Sequence, residues 1–333
     1  MSKEMGIQEA IFDAIQRHHT VIIHRHVRPD GDSIGAQIGM KHLIQENFPE
    51  KRVFAVGDEE ASLSFIGRMD TIPDCFYNEA LVMILDTATH DRVSDARYTL
   101  GKMRITIDHH PDTENLGDIE WIDPSYTSTS EMIIDFLRAF PDLSLSARGR
   151  QALFCGVVTD TNRFLHPRTS GKTFERIGWI VDDTMDLSSI YQNLYKESLD
   201  HVRFRGYMMS RLVTPGNGLA YFVVDRHLYR KYGLTTQHAS ILANTLQYIE
   251  GISVWFVAVE DPETRRVRVS LRSEHHPINH IASQFGGGGH PLASGMTLND
   301  LGMIPQLVHA LSDYLKTVIE GGDTIASRDI ASF

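Results

Sequence analysis

Cysteine is nearly missing from this chain of 333 residues, which contains only Cys75 and Cys155. Two thiols are too few for a disulfide framework and make a thiolate metal site improbable, so the sequence favours a protein of the reducing cytoplasm. Both cysteines lie in apolar stretches of sequence. We therefore expect both side chains to be buried in the core.

Long apolar runs and an excess of positive charge are also missing. No run approaches the roughly 20 residues of a membrane-spanning helix, and the opening MSKEMGIQEA lacks the apolar segment of a signal peptide. Lysine and arginine number 32 against 43 aspartates and glutamates, a formal net charge of −11. Because proteins that coat long nucleic acid are normally basic, we expect no membrane segment and no binding to long duplexes.

The composition is otherwise that of an ordinary globular protein, with 42% hydrophobic and 23% charged residues. It excludes a disordered or fibrous chain. At roughly 150 residues per domain, the length predicts about two domains.

The first half of the chain alternates short β-branched runs with helical patterns. Strands are predicted at 20–24, 52–56, 81–86 and 103–108, and helices between the first two strands, over 128–139 and 147–158, and around 174–181. This order predicts an α/β fold, a parallel sheet with helices on both faces. In such sheets, ligands bind beyond the carboxyl ends of the strands.

The second half has a different pattern. Polar helical sequence over 186–214 predicts a helical connector, and beyond it strands are predicted at 219–224, 253–260 and 267–271, with helices over 239–249 and 304–318. The strand at 267–271 alternates apolar residues with Arg268, Ser270 and Arg272, so one of its faces should be polar and cationic. We therefore predict a first domain over 1–185, the connector, a smaller α/β domain over 215–320 and a loose tail over 321–333.

Acidic and imidazole residues follow the predicted strands and end one later helix. They are His26, Asp30 and Asp32, then Asp86, then Asp108, His109 and His110, and finally Asp160. Taken singly, each could belong to a turn, a loop or a helix cap. Together, they should meet at one edge of the sheet, where close carboxylates would repel by roughly 4 kcal/mol per pair at an intermediate dielectric. A bound cation removes this repulsion.

Aspartate and histidine without cysteine form a hard-to-borderline ligand set. Such a set suits Mn²⁺, with Mg²⁺, Co²⁺, Fe²⁺ and Zn²⁺ as alternatives. Four aspartates and two histidines from this group would give six protein ligands, which exceed what one catalytic ion with an open position can use, whereas two ions bridged by a carboxylate can accommodate them. The sequence therefore predicts a two-metal phosphohydrolase.

Four consecutive glycines, 286–289, precede His290. They could form a flexible linker, or their N–H groups could converge on an anion. Arg272 on the cationic strand face could bind a terminal phosphate in bidentate fashion, and His290 could stack on a base or bind phosphate. This region is predicted to hold one end of a short substrate.

The spacing His26-x-x-x-Asp30-x-Asp32, the single Asp86, the triplet 108–110 and Asp160 resemble, in order, the four motifs of the DHH phosphoesterase superfamily. Arg272-Ser273, Asn279, the segment 286–290 and Ala293-Ser294-Gly295 resemble its second domain, called DHHA1. The resemblance extends from about residue 18 to 318. It implies a DHH catalytic domain, a DHHA1 substrate domain and a metal-dependent phosphoric ester hydrolase.

The resemblance also implies roles for individual residues. It implies that His26 and Asp30 bind one metal, that Asp32 and His109 bind the other, that Asp86 bridges them and that Asp160 completes the set. Asp108 is expected to orient His109, and His110 to contact the scissile phosphate or protonate the leaving oxygen. The expected substrate contacts are Arg272, Ser273, Asn279, Gly287, Gly288, Gly289, His290 and Arg163.

Within the superfamily, the stretches HVRPDGDSIG (26–35), DHHP (108–111) and TDTNRF (159–164) most resemble the stand-alone bacterial oligoribonucleases, or nanoRNases. That resemblance implies hydrolysis of RNAs of about two to five nucleotides to mononucleotides, conversion of pAp to AMP, and a possible homodimer. Asn162 departs from the glycine that is more usual there. A soluble phosphodiesterase for cyclic di-AMP or pApA and, less favoured, a non-catalytic nucleotide-binding protein stay open.

Overall fold

The computed structural model describes residues 6–111, 113–235 and 238–321. Contacts within the chain divide it into two compact units, Met1–Lys196 and Glu197–Phe333. This division falls inside the segment predicted as a connector, 186–214. The predicted tail lies, from residue 322 onward, outside the described residues.

The first unit is an α/β layer structure. Its strands are β1 (Thr20–His24), β2 (Arg52–Ala55), β3 (Leu81–Leu85), β4 (Met103–Asp108) and β5 (Ile119–Ile122). Its α-helices are α1 (Ile7–Arg17), α2 (Gly31–Asn47), α3 (Thr129–Ala139), α4 (Ala147–Asp160), α5 (Gly171–Ile180) and α6 (Leu187–Tyr195).

All five strands are parallel, in the order β2-β1-β3-β4-β5. The four strands predicted from sequence are confirmed, whereas α1 and β5 were not predicted. Every residue of β1 and β3 is buried because both faces of the sheet are covered. α-Helices cover one face, and short 3₁₀ helices at Asp74–Tyr77 and Ala96–Leu100 contribute to the cover of the other.

Helices α2 and α4 approach each other closely through glycine. A Cβ atom built on Gly35 would lie 2.5 Å from the carbonyl oxygen of Ala152, and one built on Gly156 would lie 2.7 Å from Oδ1 of Asp32. Real Cβ atoms do not make contacts this short, so the two helices can touch only where side chains are missing. This contact fixes the start of α2 relative to the end of α4.

The second unit is built on a mixed sheet. Its strands are β6 (Val213–Gly216), β7 (Leu219–Val224), β8 (Val254–Glu260), β9 (Val267–Ser273), β10 (Gly288–His290) and β11 (Ala293–Leu298). Its helices are α7 (Leu199–Ser210), α8 (Arg226–Lys231), α9 (His238–Asn244), α10 (Asn279–Gln284) and α11 (Ile304–Gly321). The strand order is β10-β11-β9-β8-β7-β6, in which only the β7–β8 pair is parallel.

Apolar layers cover both faces of this second sheet. Helices α10 and α11 pack on the face that carries Val267, Val269 and Leu271, and α7 and α9 pack on the other. The alternation predicted for β9 is therefore present, with Arg268 exposed and Arg272 partly buried on the second face.

Three local predictions differ from the structure. Cys75 is exposed, because it lies in a one-turn 3₁₀ helix whose neighbour Tyr77 takes the inward position, whereas Cys155 is buried as expected. Helix α9 ends at Asn244 rather than near residue 249. The four glycines are neither a linker nor a closed nest, since Gly288 and Gly289 begin the edge strand β10.

No helix among the described residues is long and apolar enough to cross a membrane.

Candidate metal centre

The acidic and imidazole residues do meet at the carboxyl edge of the first sheet. Strands β1, β3 and β4 are neighbours, and the predicted residues follow their ends directly. Asp30 caps α2, Asp32 lies in its first turn and Asp160 is the last residue of α4. The topology therefore brings six separate positions of the sequence to one place.

Asp86 lies at the middle of the cluster. Its Oδ2 is 3.4 Å from Nε2 of His26, and its Oδ1 is 3.4 Å from Nε2 of His109. His26 Nε2 is also 3.5 Å from Oδ2 of Asp30, and His109 Nε2 is 3.2 Å from Oδ2 of Asp160. One carboxylate thus touches two separate imidazole–carboxylate groups.

Three sets of ligand atoms are compact enough for one ion each, and one of them, Asp86, Asp108, His109 and His110, shares a residue with each of the other two. The atoms of His26, Asp30 and Asp86 lie within 4.8 Å of one another, and so do those of Asp32, His109 and Asp160. Two atoms that bind one ion at about 2.1 Å and at a right angle lie about 3 Å apart, close to the distances above. The residues therefore fit divalent cations, and the cluster could hold more than one.

Helix α3 holds Asp32 in place. The backbone N–H groups of Thr129 and Ser130 donate to its two oxygens at 2.7 and 3.0 Å, and the Thr129 hydroxyl donates to Asp86 Oδ1 at 3.2 Å. The first N–H groups of a helix have no partner within the helix and favour a negative charge. Sequence reasoning missed this contact, although Ser128 before a helical run is a cap signal.

His26 is held by a buried polar pair that sequence reasoning also missed. The guanidinium of Arg25 donates to the His26 carbonyl oxygen at 3.0 Å and to Oε1 of Gln37 at 3.1 Å. The Gln37 amide donates to the carbonyl oxygens of Ile23 and Val56 at 2.6 and 2.9 Å. This network ties the start of the loop after β1 to α2 and to the residue after β2.

The crowding of charge changes the pKa values. Burial, followed by the charges of Asp86 and Asp160, raises the pKa of Asp32 well above its usual range. Burial opposes protonation of His26, but its hydrogen bonds to Asp30 and Asp86 raise its pKa to about 10. Burial likewise opposes protonation of His109, and hydrogen bonds to Asp160 and Asp86 raise its pKa to about 11.

The raised pKa values of the two imidazoles show that the surrounding carboxylates favour positive charge in the cluster. In the absence of a metal, protons on the two imidazoles supply that charge. A divalent ion can replace each proton, since a ligating imidazole must be neutral.

Asp108 contacts His110 rather than His109. Its Oδ1 accepts from Nδ1 of His110 at 2.7 Å, and this hydrogen bond raises the pKa of His110. Residues two apart in an extended chain point to the same side, whereas the residue between them points to the other, which explains the difference from the prediction. The His110 side chain is 41% exposed, so it is accessible from outside the cluster.

The predicted substrate residues of the second unit fall into two groups. Arg272 and His290 lie in one row of the sheet, since Arg272 pairs with Ala293 and Ala293 with His290. Gly288 and Gly289 are exposed on the same edge strand, and Gly287 packs so closely on Gly295 and Met296 that a Cβ atom would clash.

The remaining predicted contacts have structural partners. The buried Ser273 hydroxyl accepts from the N–H of His276 at 2.8 Å, and Asn279 Oδ1 accepts from the N–H of His280 at 3.1 Å. The guanidinium of Arg163 lies 5.1 Å from the ring centroid of Tyr195, and among the described residues it makes no contact with the acidic cluster.

Two family models match the chain. Residues 20–156 match the DHH family, N-terminal domain, and residues 216–317 match the DHHA1 domain. The two ranges fall within the two units of the structure.

Known proteins resemble the chain over most of its length. It is 37% identical over 286 residues to the bifunctional oligoribonuclease and PAP phosphatase NrnA of Bacillus subtilis, covering 85% of this chain and 91% of the relative. It is 35% identical over 308 residues to the probable bifunctional oligoribonuclease and PAP phosphatase NrnA of Streptococcus mutans, covering 92% and 99%. The crystal structure of an exopolyphosphatase-related protein from Bacteroides fragilis has the same fold, with a TM-score of 0.79 at 24% identity, covering 96% and 98%. The chain therefore belongs to the DHH family and carries a DHHA1 domain in its second half.

Proposed function

We propose that the chain hydrolyses short oligoribonucleotides, of about two to five nucleotides, to mononucleotides and converts pAp to AMP. The observation that carries this proposal is the position of Asp86 between His26 and His109, each of which belongs to a compact set of ligand atoms. The relatives named as oligoribonuclease and PAP phosphatase support it, because they match along nearly their whole length.

The acidic cluster is proposed to hold two Mn²⁺ ions. His26 and Asp30 would bind one ion, Asp32, His109 and Asp160 the other, and Asp86 would bridge them. A pair of divalent ions supplies Lewis-acid stabilisation of a phosphoryl group and makes a bound water a stronger nucleophile. Oxygen and imidazole ligands without thiolate suit Mn²⁺ among the available divalent ions.

His110 and Asp108 are proposed to handle the proton of the leaving group. Asp108 accepts a hydrogen bond from Nδ1 of His110 and favours the protonated imidazole. The other ring nitrogen, Nε2, can then donate its proton to the leaving oxygen as the P–O bond breaks. The cleaved fragment leaves as an alcohol, and His110 must regain a proton before the next turnover.

The DHHA1 unit is proposed to recognise the nucleotide. Arg272 supplies a cation, exposed Gly288 and Gly289 leave the backbone accessible, and His290 can stack on a base. A few local cations suffice for a short substrate, which agrees with the net negative charge of the chain.

One assay tests the proposal and its main alternative. Purified protein with Mn²⁺ is given pApA and cyclic di-AMP together, and both are followed by chromatography. We expect pApA to disappear to AMP while the cyclic compound persists. Cleavage of the cyclic compound at a comparable rate would favour a cyclic di-AMP phosphodiesterase instead. Cleavage of neither substrate would contradict both activities.

A second arm tests the pAp reaction. Release of inorganic phosphate from pAp should accompany the cleavage of pApA and should disappear with Asp86→Ala. An Asp86→Ala protein that is as active as the natural chain would exclude the proposed metal centre.

A further inference from the structure

Glu131 in the first turn of α3 is a buried carboxylate that the proposed function does not use. Its side chain is 1% exposed, and its Oε2 accepts from the N–H of Thr127 at 3.2 Å. The two residues directly before it, Thr129 and Ser130, donate their N–H groups to Asp32. One turn of helix is therefore in contact with two buried carboxylates.

Arg176 on α5 supplies the opposite charge. Its Nη1 donates to Oε2 of Glu131 at 3.2 Å, and its Nε and Nη2 donate to Oδ2 of Asp135 at 2.9 and 2.7 Å. Asp135 lies one turn further along α3 than Glu131, so the arginine binds two successive turns of that helix. Among the described residues, no other cation lies within ion-pair distance of Glu131. Arg176 therefore provides the pairing that a buried carboxylate requires.

The plane of the Arg176 guanidinium is also fixed. Its Cζ lies 4.4 Å from the ring centroid of Tyr126, and the Tyr126 hydroxyl donates to Oδ2 of Asp135 at 2.9 Å. A planar fork held in this way reaches both carboxylates at once, whereas an ammonium group would offer a single point of charge. The geometry therefore makes use of an arginine and of its orientation.

Helix α5 also contacts the turn that follows Asp160. Phe164 in that turn has a φ of 67°, a left-handed conformation that is rare for bulky residues, and its ring centroid lies 5.2 Å from that of Phe174. Such a conformation persists where the surrounding structure holds it. Asp32 and Asp160 belong, with His109, to one compact set of ligand atoms. Helix α5 therefore packs against the supports of both aspartates of that set.

We infer that Arg176 is a positioning residue for the metal centre, acting on Asp32 through Glu131 and the first turn of α3. With Arg176 in place, Glu131 is neutralised and the N–H groups of Thr129 and Ser130 stay on the Asp32 oxygens. Without Arg176, the Glu131 carboxylate is buried and unpaired, so the turn that carries it must rearrange and Asp32 loses its donors. The inference rests on the metal centre of the proposed function and does not depend on which substrate is cleaved.

The first test is Mn²⁺ binding to the full chain, measured by the electron paramagnetic resonance signal of free Mn²⁺ during a titration. Arg176→Gln should weaken binding of at least one ion by about tenfold to a hundredfold, the usual effect of losing a group that orients a metal ligand. Unchanged affinity for both ions would overturn the inference.

Arg138→Gln is the matched control. Arg138 pairs with the same Asp135, through its Nη1 at 3.3 Å, and with Glu175, and it makes no ion pair with Glu131. The substitution removes the same charge from α3, and Mn²⁺ affinity should stay within about twofold because partly exposed ion pairs contribute little. Equal losses of affinity in the Arg138→Gln and Arg176→Gln proteins would contradict a specific role for Arg176.

A double variant separates positioning from a general loss of stability. Glu131→Gln added to Arg176→Gln removes the unpaired carboxylate, and the amide oxygen can still accept from the N–H of Thr127. The double variant should bind Mn²⁺ at least about fivefold more tightly than Arg176→Gln alone, since residues in one buried network are coupled. Losses of affinity that simply multiply would overturn the route through Glu131.

Hydrogen exchange gives a readout that needs no metal. In metal-free protein, the amides of Thr129 and Ser130 should exchange faster in Arg176→Gln than in Arg138→Gln, after normalisation to the amides of β3, which report global unfolding. Equal exchange in the two proteins would overturn the inference.

The outcomes also separate this inference from the proposed function. If the natural chain binds no Mn²⁺ while exchange at Thr129 and Ser130 still depends on Arg176, the proposed metal centre is wrong and the coupling of Arg176 to the α3 turn stands. Arg176-dependent Mn²⁺ binding without hydrolysis of pApA or pAp would instead contradict the proposed activity alone.

Discussion

The two units of this chain gather charges of opposite sign. The first gathers buried carboxylates and imidazoles at a sheet edge, with Asp32 and Asp86 almost fully excluded from solvent. The second carries arginine and glycine on a sheet face that α7 and α9 partly cover, with Arg268 and His290 exposed. The site in the first unit concentrates negative charge, whereas the sheet face in the second unit carries positive charge.

The difference explains how each site is held. Like charges in a buried cluster repel strongly, so each must be fixed by packed backbone, as the N–H groups of α3 fix Asp32. A partly buried cation such as Arg272 is instead held by a few hydrogen bonds to neutral groups. Changes at the acidic cluster should therefore alter metal content and activity, and changes around Arg272 should alter affinity alone.

The largest effect is expected from Asp86→Asn. The amide cannot bridge two ions as a carboxylate does, and loss of Lewis-acid stabilisation costs several kcal/mol, about a thousandfold in kcat. Metal analysis and single-turnover hydrolysis of pApA measure the two consequences. Asp142→Asn, which removes an acid from an exposed loop, should change neither quantity. Full manganese content in the Asp86→Asn protein would contradict a bridging role.

The next largest effect is the dependence of Mn²⁺ affinity on pH. The raised pKa values, about 10 for His26 and about 11 for His109, mean that both imidazoles are protonated in the metal-free protein near neutrality. Each ion must displace a proton, so Mn²⁺ affinity should rise with pH, by up to about tenfold per pH unit for each proton displaced. Competition with a chelator between about pH 6.5 and 8.5 measures the slope.

Calorimetry in buffers of different ionisation enthalpy counts the released protons independently. Release of at least two protons on loading both ions agrees with the histidine assignment, and Asp32, whose pKa is also raised, can contribute a further one. Affinity that does not vary with pH would show that these imidazoles are neutral before the metal binds.

A smaller effect is expected from Gly156→Ala, which tests the backbone that supports the acidic cluster. The added Cβ atom would lie 2.7 Å from Oδ1 of Asp32 and 2.8 Å from Cβ of Ser130. We expect the free energy of unfolding to fall by about 1–3 kcal/mol, because overpacking forces the backbone to shift. Manganese content should fall as well, since Asp32 must move.

Gly178→Ala provides the opposite case. It lies in α5, and a Cβ atom there would meet nothing within 4 Å. Alanine should raise the free energy of unfolding by up to about 1 kcal/mol through helix propensity. Urea denaturation measures the free energy of unfolding of both variants. Equal destabilisation by Gly156→Ala and Gly178→Ala would show that close packing at Gly156 does not matter.

The sequence allowed the first unit to be predicted better than the second. Buried parallel strands are apolar throughout, so β1 and β3 stand out as β-branched runs, and the acids directly after them were easy to assign to one sheet edge. The sequence of α1 also carries a helical pattern, with Ile7, Ile11 and Ile15 on one side, but it lies before the first β-branched run and was not predicted as a helix. Strand β5 is short and carries Glu120, so its pattern is weak.

Supporting contacts could not be predicted in the same way. Asp32 is held by backbone N–H groups of Thr129 and Ser130, which every residue except proline possesses, so no residue type marks them. The hairpin that contains Gly288 depends on pairing with β11, a tertiary contact. The guanidinium of Arg268 lies close to Gly295, a contact that likewise depends on strand register, which the sequence alone does not fix.

The smallest effect is expected from Asn244→Ala in the second unit. The substitution removes the 3.2 Å hydrogen bond from Arg272 Nε and leaves the one to Ser240. One neutral hydrogen bond contributes about 0.5–1.5 kcal/mol, so AMP affinity should fall about twofold to tenfold. Manganese content should stay unchanged, since no residue of the acidic cluster is altered.

Asn244→Asp separates orientation from simple packing, because its carboxylate would pair with the guanidinium and compete with phosphate. AMP should therefore bind the aspartate variant more weakly than the alanine variant, and the reverse order would show that Asn244 acts by packing rather than by presenting a free cation.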